Sequence, residues 1–437
     1  MFKDSSLPCR DTVDFLNDSV AIQRIAKASG FFKRAARKIT PQCFVKAIML
    51  AGSCGKVSFN AVARQAGMVT SKPSSRQNLA RRCNANAVGF LRDLVSHVIQ
   101  QRCVIAPEVS SGFNRILIQD GSLIRFADSA RKHFPAVSST REDKAMLHLQ
   151  FAYDYLTGQT LLAKTHPYSR TDAMATGDIL EHLQPGDLCL RDLGYYKADS
   201  FQQIDAKGAF YVSRLKSEIT VFHGPRKGDT LPLARFLCDS TADVVDQTVR
   251  LGQAGTFSTR LVAIRMPAQI AARRRRKLHD EAKRRNQTPS SLKLALCDWL
   301  LLITNLTAEK ASAQTLRQLY RLRWHVELVF KTLKSNGCLR VLTGHASNPH
   351  HLEALLLGQL LQVILHLRLW RMLSPASTTH PLSLLKIAGF VTETLAALWL
   401  GSPDVNRWAY HLRSLLQYCR HDKRNRRSLE NLLSSLR

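Results

Sequence analysis

The stretch Leu319-Tyr-Arg-Leu-Arg-Trp-His-Val-Glu-Leu-Val-Phe-Lys-Thr-Leu-Lys334 carries Tyr320, Arg323, Glu327 and Lys334 at the spacing Y-x2-R-x3-E-x6-K. Apolar residues at helical intervals predict one helix over 311–335. At about 100° per residue, the four side chains share an arc of about 60°. One carboxylate then stands between two cations and a phenol. A carboxylate holds a hard divalent metal, and cations and a tyrosyl hydroxyl hold phosphate oxygens. The combination suits metal-dependent chemistry on a polyanion. The plainer reading is a solvated charged face with i,i+4 pairs. Acids upstream separate the two.

Arg115-Ile-Leu-Ile-Gln-Asp120-Gly121 is a short apolar run that closes on an acid and a glycine. Asp187-Leu-Cys-Leu-Arg-Asp192 is a second such run, with Gly194 just beyond. Both predict buried strands. If the sheet sets these strands side by side, Asp120 and Asp192 converge with Glu327 on a helix packed against it. Three carboxylates so placed are candidate catalytic residues and candidate ligands for two divalent cations. Two-metal sites run in-line phosphoryl transfer. Oxygen-only donors suit Mg²⁺, with Mn²⁺ as a substitute. An aspartate before glycine also serves as an ordinary turn residue. Asp154, Asp172, Asp178 and Asp187 read as turn or cap residues.

The whole chain agrees with a polyanionic partner. It has 437 residues and a formal charge of +30, and 45% of its residues are hydrophobic. This length implies two or three domains, and the composition excludes a disordered chain. A large basic excess favours DNA or RNA over an anionic membrane. The excess is spread along the chain. Residues 1–115 hold 18 Lys/Arg against 6 Asp/Glu, and a basic run, Arg273-Arg-Arg-Arg-Lys277 with Lys283-Arg-Arg285, lies near the middle. The ten cysteines form no C-x2-C or Cys/His ligand set, which argues against a zinc module and for reduced core thiols in a cytoplasmic protein. No apolar segment follows Met1 as in a signal peptide. Leu352–Leu369, the most apolar stretch, contains Glu353, Gln359, Gln362, His366 and Arg368, and reads as a core helix, so no membrane partner is expected.

Helical spacing predicts helices at 12–29, 41–51, 59–66 and 87–101. Residues 58–82 fit a helix-turn-helix, with Gly67 in the turn, Ser71 or Ser74/Ser75 as cap, and Arg76, Arg81 and Arg82 on the second helix able to reach phosphates and bases. An ordinary helical hairpin fits the same residues. The pattern predicts strands on either side of Thr157-Gly158, a helix over 172–183, and mostly β structure from 208 to 306 with strands at 210–215, 219–222, 257–266 and 299–304. The domain reading is a helical DNA-binding region over 1–110, a catalytic domain in two parts over 111–207 and 307–345, a β-rich insertion over 208–306, and a basic helical region over 346–437.

The order Asp120-Gly-Ser, Arg191-Asp192-Leu-Gly-Tyr-Tyr, then Tyr320-x2-Arg323-x3-Glu327-x6-Lys334 resembles the DDE transposases of insertion-sequence family four, whose Y-R-E-K signature matches at all four positions. Phe31-Phe-Lys-Arg, Leu147–Asp154 and Tyr211-Val-Ser-Arg-Leu-Lys extend the resemblance to about residues 25–375. It implies an α/β, ribonuclease H-like catalytic domain interrupted by the β-rich insertion and flanked by helical regions. It also implies two Mg²⁺ on Asp120, Asp192 and Glu327, and a DNA end held by Tyr320, Arg323 and Lys334. Family members cut with water, and the freed 3′-hydroxyl attacks the opposite strand to form a hairpin. The second-aspartate motif often has Arg after the acid. This chain has Leu193 there, and Arg191 is expected to supply a similar charge. In hairpin-forming relatives a tryptophan placed as Trp299 is packs a flipped base; a core aromatic is the alternative. His325 points away from Glu327, and Trp324 reads as a packing residue.

The expectation is therefore a cut-and-paste transposase. It would bind double-stranded terminal inverted repeats and target DNA, and act as a homodimer that joins two ends. A DNA-binding protein derived from a transposase and a structure-specific nuclease of the same fold are the alternatives.

Overall fold

Buried runs rich in Leu, Ile and Val set the strands, and capped amphipathic segments set the helices. The computed structural model describes residues 18–33, 38–54, 57–101, 112–136, 144–224, 226, 229–252, 255–335, 348–374, 381–400 and 405–420. In chain order the elements are α1 (Ser19–Ala28), α2 (Pro41–Leu50), α3 (Phe59–Thr70), α4 (Arg76–Arg82), α5 (Ala85–Gln100), β1 (Ile116–Phe126), β2 (Ala145–Asp154), β3 (Thr160–Pro167), β4 (Leu188–Arg191), α6 (Ala198–Ala206), β5 (Phe210–Arg214), β6 (Val221–Phe222), β7 (Thr230–Leu231), α7 (Leu233–Asp239), β8 (Val244–Leu251), β9 (Phe257–Arg265), α8 (Ala268–Arg284), α9 (Ser291–Ala295), β10 (Trp299–Thr304), α10 (Ala313–Leu322), α11 (His325–Ser335), α12 (Pro349–Leu373), α13 (Leu384–Leu400) and α14 (Val405–Tyr418). The mixed α/β class follows.

These elements divide into two compact units, and within the described residues the chain passes between them at 120/121, 171/172 and 323/324. In the first unit, helices α1–α5 and α11–α14 accompany the β2–β3 hairpin and the end of β1. Its axis is α12, which is apolar nearly all round and therefore buried. It is the one helix among the described residues long and apolar enough to cross a membrane, and 94% of its apolar window is buried inside the protein. Gly358 lets α12 approach α2, since a Cβ there would lie 2.3 Å from Ile48 Cγ2. The β2–β3 turn uses Gly158 at φ +71°, tight against the carbonyl of Leu367. Asp154 caps that turn, accepting from the Leu156 N–H and the Thr157 hydroxyl. Tyr155, Trp370 and His325 form an aromatic cluster that seats the start of α11, and Phe330 meets Phe151 further along it.

The second unit is a sheet in the order β1-β4-β5-β10-β9-β8-β6-β7. β4 pairs parallel with both β1 and β5, and its side chains are all buried, as a central parallel strand requires. β10 turns the sheet antiparallel, and β9 and β8 follow it. At the start of β1 and β4, Arg115 holds Asp187 through two hydrogen bonds of 2.9 and 2.5 Å, which pins their register.

Several expectations are corrected. β1 does not stop at Asp120 but runs on through Gly121 to Phe126. Residues 172–183 form turns and a short 3₁₀ segment, not an α-helix. Their carbonyls serve neighbours: Gln119 donates to Ala175 O and Arg191 to Thr176 O, so no i→i+4 ladder forms. β8 was not foreseen, because its alternation is half-exposed and polar. α3 runs through Gly67 to Thr70, and Ser71 makes the turn at φ 53°. The second helix begins only at Arg76, capped by Ser75, which accepts from the Asn78 N–H. Trp324 is 58% exposed and is not a packing residue. The predicted helix over 311–335 is two helices, broken at Arg323-Trp324. Arg323 closes α10 with an N–H to Tyr320 O at 3.2 Å, and Glu327 opens α11 with an N–H to Trp324 O at 3.1 Å. The single-helix arc of about 60° therefore does not describe the four side chains.

Candidate active site

β1 and β4 pair Ile116 with Leu188 and Ile118 with Leu190. The same register, continued two residues, sets Asp120 beside Asp192. Asp192 lies just past β4 and opens a 3₁₀ turn without capping it, so its carboxylate is not spent on that turn. Two adjacent carboxylates repel, and a cation between them relieves the repulsion. Arg323 is that cation. Its Nη1 donates to Asp120 Oδ2 at 3.1 Å, and its Nε lies 3.8 Å from Asp192 Oδ1. Tyr320, one turn earlier on α10, donates its hydroxyl to Asp192 Oδ1 at 3.2 Å. Burial, and next the Asp192 carboxylate, hold the Tyr320 phenol well above its ordinary pKa. Asp192 is the open side of the group: its side chain is 38% exposed, against 15% for Asp120 and 11% for Arg323.

Glu327 lies in the first turn of α11 and Lys334 in the last, both half-buried. Seven residues apart, they share one face within about 20°. Burial lowers the pKa of the Lys334 ammonium. Asp120 and Asp192 offer hard oxygen donors side by side, which fits a divalent cation such as Mg²⁺. Among the described residues no group of three or more His, Cys, Asp and Glu side chains stands ready to hold a metal ion.

Two predicted DNA-binding residues are placed elsewhere. Arg191 is fully buried, donating to Ser200 Oγ at 2.5 Å and Thr176 O at 2.7 Å, so its guanidinium braces the sheet and is not exposed as expected of a DNA contact. It lies on β4 one residue before the acid, so its side chain points to the opposite face, which Thr176 and Ser200 cover. Trp299 is 4% exposed, and its ring lies under the Arg265 guanidinium at 4.4 Å. The register pairs the two residues directly, and no face of the indole is open for a base. Arg76 and Arg81 are exposed on α4, whereas Arg82 is half-buried over the Phe32 ring at 5.5 Å. Arg76 borders a groove of about 660 Å³ with Asn60, Arg64 and Lys72.

One positioning residue was not foreseen. Arg260, on β9, donates to the carbonyls of Leu306, Thr307 and Ala311 and holds Asp246. It fixes the turn that launches α10, and so the place of Tyr320 and Arg323. Nothing in an alternating strand marks one arginine for this task.

Residues 111–362 match the family described as Transposase DDE domain. The chain belongs to the DDE transposase family. The match takes in Asp120, Asp192, Tyr320, Arg323, Glu327 and Lys334, so the expectation of a DDE enzyme holds at the level of the family. Among similar proteins, the transposase for insertion sequence element IS231F of Bacillus thuringiensis subsp. israelensis is 28% identical over 287 residues, 61% of this chain and 60% of that protein. The chain thus spans less than two thirds of that relative. The transposase for IS1151 of Clostridium perfringens is 23% identical over 338 residues, 72% of this chain and 70% of that protein. Among solved structures, a piggyBac transposase synaptic complex with hairpin DNA is similar in fold, with TM-score 0.50 and 11% identity over 96% of this chain and 87% of that one.

Proposed function

We propose that the protein is the transposase of a bacterial insertion sequence, of the Y-R-E-K type of family four, with a ribonuclease H-like catalytic core. The observation that carries this reading is the pair Asp120 and Asp192 in the register of adjoining parallel strands, bridged by Arg323, with Tyr320 hydrogen-bonded to Asp192, inside the stretch that matches the family. The substrates are double-stranded terminal repeats and then target DNA. The enzyme works in the cytoplasm, as a homodimer that brings two ends together.

Asp120, Asp192 and Glu327 would be the residues to hold two Mg²⁺ ions, for which Mn²⁺ would substitute. When bound, these ions lower the pKa of the attacking hydroxyl and stabilise the leaving oxygen. Arg323 and Tyr320 turn from the aspartates to the phosphate being cut, where a guanidinium and a phenol match its oxygens. Lys334 adds a second cation, and because burial lowers its pKa it loses charge at a lower pH than an ordinary lysine. Arg76 and Arg81 on α4 grip the repeat. The names of the relatives support insertion-sequence ends as substrate, and the hairpin in the piggyBac complex supports a hairpin route.

The test is cleavage of a labelled duplex carrying the inverted repeat that flanks the gene, with Mg²⁺, by wild type and Glu327→Gln. Nicking followed by a hairpin from wild type alone is the expected result. Cleavage of branched junctions in preference to the repeat would point to a nuclease. Specific binding without cleavage would point to a DNA-binding derivative.

A further inference from the structure

The sheet of the second unit carries α8, a helix with a divided basic run. Over residues 268–285 there are eight basic side chains and two acidic ones. Two of the eight face inward. Arg274 donates to Trp299 O at 2.8 Å and to Cys297 O at 3.5 Å, and Arg275 pairs with Asp298. Ala271, Arg274, Arg275, Leu278 and Ala282 are the buried or half-buried positions, so the helix docks on that side. The other face is set by the same geometry. Arg273, Arg276, Lys277, Lys283 and Arg284 are all exposed and fall within an arc of about 120°. Asp280 is the one acid on that arc, and Glu281, beside it, reaches Lys277 at 3.8 Å in an exposed pair.

A face that served only solubility would mix its signs. Here Arg273, Arg276 and Lys277 stand at i, i+3 and i+4, where like charges repel along a helix. Lys283 and Arg284 are favoured by the negative end of the helix dipole, but the first three sit mid-helix and gain nothing from it. A partner that carries regularly spaced negative charge removes the repulsion. From Arg273 to Arg284 the stripe runs about 16 Å. That length faces four or five phosphates of one DNA strand, at about 3.4 Å per phosphate along the duplex axis.

We propose that the outer face of α8 is a rail for the DNA backbone, built into the β-rich segment and fixed in place by Arg274 and Arg275. The proposal rests on the reading of the protein as DNA-acting. Contacts to phosphate carry no sequence information, so the rail acts on any duplex. It adds to the residues already proposed to meet DNA a further basic surface that sets how tightly any duplex is held.

The test is anisotropy titration of a labelled random-sequence duplex with the full-length protein, repeated over a range of KCl. Every cation that no longer neutralises a phosphate lowers the slope of log K against log salt by about 0.9. The triple variant R273Q/R276Q/K277Q should lower the slope by about 2 to 3 without lowering the melting temperature, since these side chains are exposed and repel one another. Arg273→Lys with Arg276→Lys should keep the wild-type slope. Asp280→Lys should steepen it by about one. An unaltered slope in both the triple variant and Asp280→Lys overturns the rail and leaves the transposase reading standing. A wild-type protein that binds the duplex without salt dependence overturns both.

Discussion

At the scale of single residues, Arg323 is the side chain on which the site turns. Its guanidinium pairs with both Asp120 and Asp192, the two acids proposed to hold metal. Removing it takes away the guanidinium that pairs with both Asp120 and Asp192. Arg323→Ala should cost about 1–3 kcal/mol of stability in metal-free buffer, from the loss of its charge-assisted contacts to the two carboxylates. Mg²⁺ should raise the melting temperature of this variant more than that of wild type, because the ion then supplies the missing charge. An equal Mg²⁺ response in both proteins would argue against the shared site. The types and spacing of Tyr320, Arg323, Glu327 and Lys334 were legible in the sequence, since a motif is a matter of order. The burial of Arg191 and the cover over Trp299 were not. Each depends on a partner far away in sequence or across the sheet: Thr176 and Ser200 for the one, Arg265 for the other.

At the scale of elements, the break between α10 and α11 separates two pairs of functional side chains. Tyr320 and Arg323 close one helix, and Glu327 and Lys334 lie on the next. Periodicity alone misses such a break, because no proline or glycine marks it and the apolar spacing continues across it. Packing supplies the reason. The cluster of His325, Tyr155 and Trp370 seats α11 independently of α10. Close helix packing also makes glycine positions testable. Gly358→Ala drives a methyl into Ile48 at the α2–α12 crossing and should cost about 1–3 kcal/mol. Gly89→Ala on α5 meets no atom within 4 Å and should gain about 0.5–1 kcal/mol. Urea melts of both variants give the two signs, and a neutral Gly358→Ala would refute the close crossing.

At the scale of the whole molecule, a charge of +30 and a long buried α12 pull in different directions: one toward a polyanion, the other toward a dry core. His366 on α12 reports on that core. It is buried, neither ring nitrogen has a hydrogen-bond partner, and burial pushes its pKa down to about 3. Below the ordinary histidine value of about 6.5 the unfolded chain binds a proton that the folded chain refuses. Stability should therefore fall as pH drops from about 6.5 toward 3, by up to about 1.4 kcal/mol per pH unit. His366→Leu should flatten that part of the profile, and an unchanged acid limb would mean that the imidazole is already charged or solvated. Composition, apolar runs and motif order by themselves determined the α/β class, and they pointed to a polyanionic partner and to Asp120, Asp192 and Glu327 as candidate acids, because each is written locally or summed over the chain. Only the tertiary structure decided that β1 and β4 adjoin in the register that pairs Asp120 with Asp192, that Arg323 bridges them, and that one expected helix is two. Strand order and helix breaks are settled by which distant side chains fill the same space, and no local stretch of sequence holds that information.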